Sequence, residues 1–301
     1  MGIFVTRSWS LAFVRSKYVQ GERFAENKNV FKMKKVAFRA TFFFMPRDMM
    51  SSEIRNDVPK GKAVQSSRRG GNVKIRKEIK FMKNLTELVF ILDRSGSMRG
   101  LEKDTIGGFN GMIEKQKKED GDVLVSAVLF DDRTEVLYDR VDIKTIEPMN
   151  DKQYYVRGCT ALLDAVGGAI EHIKEVRKEV PKEERPEKTI FIITTDGMEN
   201  ASQKYSYAKV KSLIEKRRAK NWEFIFLGAN IDAAKEAGRM GIQASRAVNY
   251  KCDAMGTALN YSVLEKAVSK MRKCESAPAM SALMDVEDCF QEIREDCAKR
   301  S

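Results

Sequence analysis

Apolar runs alternate with helix-like segments along the chain from residue 87 onward. Four near-continuous apolar runs read as strands buried on both faces; they cover residues 87–93, 123–130, 189–195 and 222–227. Segments with helical patterns follow them over residues 100–118, 161–180, 205–220, 231–240 and 254–271, and residues 247–250 read as one more short strand. This alternation predicts a mostly parallel sheet covered by helices on both faces.

One strand departs from the parallel pattern. Asp131, Asp132 and Arg133 form a turn after the second apolar run, and residues 134–141 follow at once. So short a connection predicts an antiparallel hairpin at a sheet edge. The predicted fold class is therefore α/β, with a doubly wound, mostly parallel central sheet, one antiparallel edge strand and helices on both faces, as in Rossmann-like proteins.

Charge divides the chain into two unequal parts. Residues 1–81 hold 19 basic and 6 acidic residues, whereas the remaining 220 residues hold 36 basic and 37 acidic ones. We expect residues 1–81 to be a basic, poorly ordered and dispensable extension, with a transit peptide or a myristoylation signal as alternatives. The folding part is electrically neutral, so no nucleic-acid binding is predicted for it, although binding through the extension stays an alternative.

Two further segments complete the predicted organisation. Residues 82–273 form the main domain, and residues 274–301 form a tail in which Val286, Phe290 and Ile293 recur at the spacing of an accessory helix. No apolar stretch reaches the roughly 18 residues of a membrane span. The five cysteines are an odd number and include no C-x-x-C pair, which favours a reducing, cytoplasmic location.

Polar side chains follow the predicted strands where a parallel sheet binds ligands. Asp93, Ser95 and Ser97 follow the first strand, Thr160 precedes a helix, and Asp196 ends another strand. These two carboxylates and three hydroxyls are hard oxygen ligands, which suit Mg²⁺ or Mn²⁺. If the hydroxyls bind the cation directly, an octahedral site keeps a position for a carboxylate from outside the chain.

The order D-x-S-x-S, Thr160 and then Asp196-Gly197 resembles the metal-ion-dependent adhesion site of von Willebrand factor A (VWA) domains, over residues 87–271. The resemblance implies that Ser95, Ser97 and Thr160 are direct ligands and that Asp93 and Asp196 act directly or through water. It also implies a non-enzymatic adaptor whose cation binds an Asp or Glu of a partner protein, within an AAA+ ATPase or stress-response assembly. Cys159 stands where the family has glycine.

Each signal also has a simpler interpretation. Asp93, Ser95 and Thr160 are residue types that cap helices, and Asp196-Gly197 is an ordinary turn pair. A Mg²⁺-dependent phosphohydrolase of the haloacid dehalogenase-like type is the alternative function, although such enzymes carry a second aspartate where this chain has Ser95. We expect Cys159 to be buried by packing and His172, the only histidine, to be exposed and without function.

Overall fold

The computed structural model describes residues 84–300, so the predictions for residues 1–81 lie outside the described residues. The strands, in chain order, are β1 (Thr86–Asp93), β2 (Val123–Phe130), β3 (Thr134–Asp142), β4 (Lys188–Thr195), β5 (Trp222–Gly228) and β6 (Ala247–Asn249). The helices are α1 (Glu102–Gln116), α2 (Leu162–Glu179), α3 (Tyr207–Arg218), α4 (Ala233–Arg239), α5 (Ala254–Lys273), α6 (Ala277–Val286) and α7 (Gln291–Lys299).

The six strands form one sheet in the order β3-β2-β1-β4-β5-β6. All neighbours are parallel except β2 and β3, which are antiparallel, so β3 is the predicted antiparallel edge strand. The predicted fold class is confirmed. Chain order reverses between β1 and β4, and ligands of doubly wound sheets bind at the carboxyl ends of the strands beside such a reversal.

The central strands are buried on both faces because side chains alternate between two cores. From β1, Leu88 and Phe90 face a core shared with α1, α5, α6 and α7. Val89 and Ile91 face a second core shared with α2, α3 and α4. Every residue of β1 is buried, which explains why the five residues 88–92 are all apolar.

The tail differs from its prediction, because it forms two helices instead of one. The chain leaves α6 at Glu287 and enters α7 at Gln291, so the spacing of Val286, Phe290 and Ile293 does not belong to a single helix. Phe290 and Ile293 are buried in the core, whereas Val286 is 86% exposed. Two of the three apolar residues therefore pack against the domain as an accessory helix would, and the third does not.

A buried arginine connects the tail to the sheet through hydrogen bonds and an ion pair. Arg246, which is 2% exposed and lies just before β6, donates to the main-chain oxygens of Met284 at 2.6 Å and Ser281 at 3.1 Å. Its guanidinium also pairs with Glu223 of β5 at 3.3 Å. The bond to Met284 satisfies a carbonyl in the last turn of α6 that has no partner within the helix.

No helix among residues 84–300 combines the length and the hydrophobicity that crossing a membrane requires.

Candidate metal centre

The loop after β1 brings two serine hydroxyls together. The carboxylate of Asp93 accepts the main-chain N–H of Ser95 at 2.7 Å, which turns the chain immediately after the strand. Residues Gly96–Met98 then form a single 3-10 turn. The Oγ atoms of Ser95 and Ser97 lie 3.0 Å apart, so the two hydroxyls point to the same side.

Asp196 reaches this loop from the neighbouring strand. The hydroxyl of Ser97 donates to Asp196 Oδ1 at 2.6 Å, across 99 residues of sequence. Asp196 is 2% exposed and Asp93 is 1% exposed, whereas Ser97 is open to solvent. The two carboxylates therefore form the floor of the site, and a hydroxyl lies at its mouth.

Thr160 comes from a third segment, just before α2. Its main-chain N–H donates to Asn200 Oδ1 at 2.9 Å, and its carbonyl accepts from the Asn200 N–H at 3.0 Å, which fixes the residue against the loop after β4. The cap of α2 is Ala161, so Thr160 does not cap this helix. Its hydroxyl makes no hydrogen bond to the described residues.

The surroundings of Gly197 show that the three segments lie close together. A Cβ atom placed on Gly197 would lie 3.5 Å from Ser97 Oγ and 3.5 Å from Thr160 Oγ1. Both hydroxyls therefore border the same small space beside Asp196. The absence of a side chain on Gly197 leaves this space open between them.

Burial makes the two carboxylates hold protons more tightly than usual. Desolvation raises the pKa of Asp93 from 3.8 to about 6, although Thr195 and Ser95 donate to it. Burial also raises the pKa of Asp196, against donation from Ser97 and Cys252. Two neighbouring buried carboxylates are unfavourable without a cation, and a dication would remove that cost.

The donor set fits a hard dication. Carboxylate and hydroxyl oxygens are ligands of Mg²⁺ and Mn²⁺, and at least one hydroxyl, that of Thr160, is not engaged elsewhere. Within residues 84–300, no group of three or more His, Cys, Asp or Glu side chains could hold a metal ion. Any metal held here would therefore depend on hydroxyl ligands.

Two residues of the site were missed in the sequence. Thr195, the last residue of β4, donates its hydroxyl to Asp93 Oδ2 at 2.6 Å. Cys252, which follows β6, has its thiol 3.6 Å from Asp196 Oδ2, and burial raises the pKa of this thiol to about 11, so it is a neutral donor. A polar residue at the end of an apolar strand was a usable signal for Thr195, but the sequence contains none for Cys252.

Two further predictions concern residues near the site. Cys159 is exposed, so the prediction that it is buried by packing is wrong. The preceding residue, Gly158, has a φ of +67°, a left-handed conformation that favours glycine. His172 is exposed as predicted, and its ring lies 2.8 Å from the carboxylate of Asp139.

No family model and no curated protein matches the chain. Among solved structures, proximal thread matrix protein 1 from the mussel byssus, with a zinc-occupied MIDAS motif, is 16% identical, with a TM-score of 0.43. The match covers 61% of this chain and 46% of that one, so it spans less than half of the mussel protein.

Two more solved structures are similar at the same level. Manganese-loaded TRAP protein from Plasmodium vivax is 18% identical over 49% of this chain and 58% of that one, with a TM-score of 0.36. A von Willebrand factor type A structure from Catenulispora acidiphila is 15% identical over 63% of this chain and 42% of that one, with a TM-score of 0.40.

The sheet topology and the motif positions of this chain define its fold. The sheet has the doubly wound order with its antiparallel edge strand. The D-x-S-x-S loop, Thr160 and Asp196 meet where the order reverses. The chain has the fold of a von Willebrand factor A domain.

Proposed function

We propose that the protein is a metal-dependent protein interaction module. In this proposal Ser95, Ser97 and Thr160 bind a Mg²⁺ or Mn²⁺ ion directly, and Asp93 and Asp196 bind it directly or through water. An aspartate or glutamate of a partner protein completes the coordination. The observation that carries the proposal is the meeting of the Ser97 and Thr160 hydroxyls beside Asp196, since these groups come from three separate segments.

Exposed apolar side chains close in sequence to the site residues support a macromolecular partner. Tyr155, Met198 and Met255 are 41%, 70% and 58% exposed. Tyr155 stacks under the guanidinium of Arg94, the residue after Asp93. Met198 lies two residues after Asp196, and Met255 lies three residues after Cys252. Exposed apolar side chains of this kind mark surfaces that bind other proteins.

The geometry of Asp93 argues against the phosphohydrolase alternative. A nucleophilic carboxylate must reach the phosphorus atom of its substrate, but Asp93 is 1% exposed. Both of its carboxylate oxygens are occupied, one by the N–H of Ser95 and one by the hydroxyl of Thr195. Catalysis would also require an acid or base, and the position two residues later carries Ser95.

Metal binding is the first test. We expect calorimetric titration of the full chain with Mn²⁺ to show one site. Thr160→Val should weaken it by about tenfold or more, because a methyl group cannot bind a cation. Thr86→Val is the matched control, since Thr86 is a buried threonine at the opposite end of β1. Equal Mn²⁺ affinity in all three proteins would contradict the proposed ligands.

Partner capture is the second test. The wild-type chain and the Thr86→Val control should retain a protein in Mg²⁺ buffer and release it in EDTA. The Asp93→Ala variant should not retain that protein, while its circular dichroism stays that of a folded chain. Capture that survives both EDTA and Asp93→Ala would refute carboxylate ligation, and Mg²⁺-dependent phosphatase turnover lost on Asp93→Asn would favour the enzyme.

The wider setting of this function stays a prediction. An AAA+ ATPase or stress-response assembly as partner follows from the family resemblance, and a cytoplasmic location follows from the cysteine content. Mass spectrometry of the protein captured in the second test would identify the partner directly.

A further inference from the structure

A small internal cavity lies directly behind the candidate metal centre. It is bordered by Asp93 at the end of β1, by Thr105 of α1 and by the first turns of α5. The space open to the centre of a water molecule is about 10 Å³, which is close to the least that one internal water needs. Nothing larger than a water molecule fits this volume.

Four buried polar atoms line this cavity without a hydrogen-bond partner among the described residues. They are the hydroxyl oxygens of Thr105, Thr257 and Tyr261 and the Oδ1 atom of Asn260. The four residues are between 3% and 6% exposed. The cavity thus collects half of the eight such atoms found in residues 84–300, although buried polar groups are nearly always paired.

The helices explain why these atoms meet. Thr257, Asn260 and Tyr261 are spaced i, i+3 and i+4, so they share one face of α5. Tyr261 packs against α1 at Gly108, where a Cβ would lie 2.1 Å from its ring. The hydroxyl of Tyr154 donates its one proton to the main-chain oxygen of Asp93 at 2.5 Å, so toward Thr105 it can act only as an acceptor and the Thr105 oxygen has no donor.

We infer that this cavity is a binding site for one ordered water molecule that joins α1 to α5 behind Asp93. The hydrogen bonds balance: the water donates to Asn260 Oδ1 and to one hydroxyl oxygen, and it accepts from the other two hydroxyls. Four partners lie within the range found for internal waters. The inference does not depend on the proposed function.

A cation suits the same cavity less well. The four unpaired groups are neutral, and three of them carry protons that need an acceptor. The carboxylate oxygens of Asp93 already accept from Ser95 and Thr195. Water serves the hydroxyls both as donor and as acceptor, which a cation cannot do.

Valine substitutions distinguish a hydrated cavity from a dry one. In a dry cavity, Thr257→Val removes an unpaired hydroxyl and should leave stability unchanged or raised. In a hydrated cavity, the same change takes a partner from the water and should lower Tm by about 2 to 6 °C. Thr86→Val is the control, because Thr86 Oγ1 is also buried and unpaired but lies about 23 Å away along β1.

The experiment is thermal unfolding of the full chain in EDTA, which separates it from metal binding. We expect Thr257→Val and Thr105→Val each to lower Tm, the double variant to lower it by less than the sum, and Thr86→Val not to lower it. A crystal structure of the wild type should show density for one water between these residues. Cavity variants as stable as Thr86→Val, or a cavity without density, would overturn the inference.

Discussion

Replacing Asp93 by asparagine should make the metal-free protein more stable at neutral pH. Burial raises the pKa of Asp93 from 3.8 to about 6, so folding favours the protonated carboxyl. The contribution of Asp93 to the stability of the metal-free fold is therefore fully present below pH 3.8, and it is lost as the pH rises through about 6. One pKa unit corresponds to about 1.36 kcal/mol, so ionised Asp93 costs the fold about 3 kcal/mol.

Asparagine fits the same position. Its Oδ1 atom can accept the N–H of Ser95 as the aspartate does. The Thr195 hydroxyl, which lies 3.1 Å from the carbonyl of Gly197, can donate there and accept from the new amide. We therefore expect Asp93→Asn to raise the free energy of unfolding in EDTA by about 1 to 3 kcal/mol at pH 7.5, or several degrees in Tm.

Magnesium should reverse the order of the two proteins. A ligand present at 1,000 times its dissociation constant stabilises a fold by about 4.1 kcal/mol, which exceeds the gain expected from asparagine, and Asp93→Asn should lose most of this stabilisation with the carboxylate charge. The assay is thermal unfolding by circular dichroism, in EDTA and in excess Mg²⁺. Asp151→Asn, on an exposed loop, is the control for the lost charge.

One result would refute the destabilising effect of ionised Asp93, and another would refute its part in binding the cation. An Asp93→Asn protein that is less stable than wild type in EDTA would show that the buried charge does not destabilise the metal-free fold. An equal gain from Mg²⁺ in both proteins would show that Asp93 takes no part in binding the cation. The Asp151→Asn control should match wild type in both buffers.

Three further predictions concern the fold around the site. Gly108→Ala should lower the free energy of unfolding, because its Cβ would clash with the Tyr261 ring, whereas Gly107→Ala, with open space around it, should raise it by about 0.5 to 1 kcal/mol in chemical denaturation. Arg246→Met should cost about 3 to 5 kcal/mol in the same assay, since it leaves a buried carboxylate unpaired, and a cost near zero would contradict this. The hydrogen bond that the His172 ring donates to the Asp139 carboxylate raises the pKa of His172. The contribution of this pair to stability is therefore full below pH 6.5 and is lost as the pH rises through the folded pKa. NMR titration of this histidine should show a raised pKa that Asp139→Asn returns to the ordinary value.

The elements of the fold follow from local sequence. The run over residues 87–93 is apolar at nearly every position, so it can only be a strand buried on both faces, and its carboxyl end had to lie beside those of its parallel neighbours. This is why the sequence alone predicts Asp93 and Asp196 at one edge of the sheet. The antiparallel edge strand was predictable for a similar reason, because three turn residues leave no room for a crossover.

Contacts between distant segments needed the tertiary structure. Thr195 donates to Asp93 across 102 residues of sequence because β1 and β4 pair in a register that sets Leu92 opposite Thr194. Cys252 approaches Asp196 only because β6 adds to the sheet beside β5. Periodicity reports which face a residue occupies but not which partner it meets there.

Burial of individual polar residues was also decided by packing. Cys159 is exposed although it lies between the left-handed Gly158 and the buried Thr160, and no local pattern in the sequence predicts this exposure. Thr257 and Asn260 lie on the buried face of α5, where apolar residues are the ordinary choice, and the structure surrounds them with a cavity of water size. The sequence alone thus determined the sheet and the chemistry at its edge, because strand patterns and ligand types are local properties. Only the tertiary structure decided which side chains meet, since that depends on register and helix packing over separations of about a hundred residues.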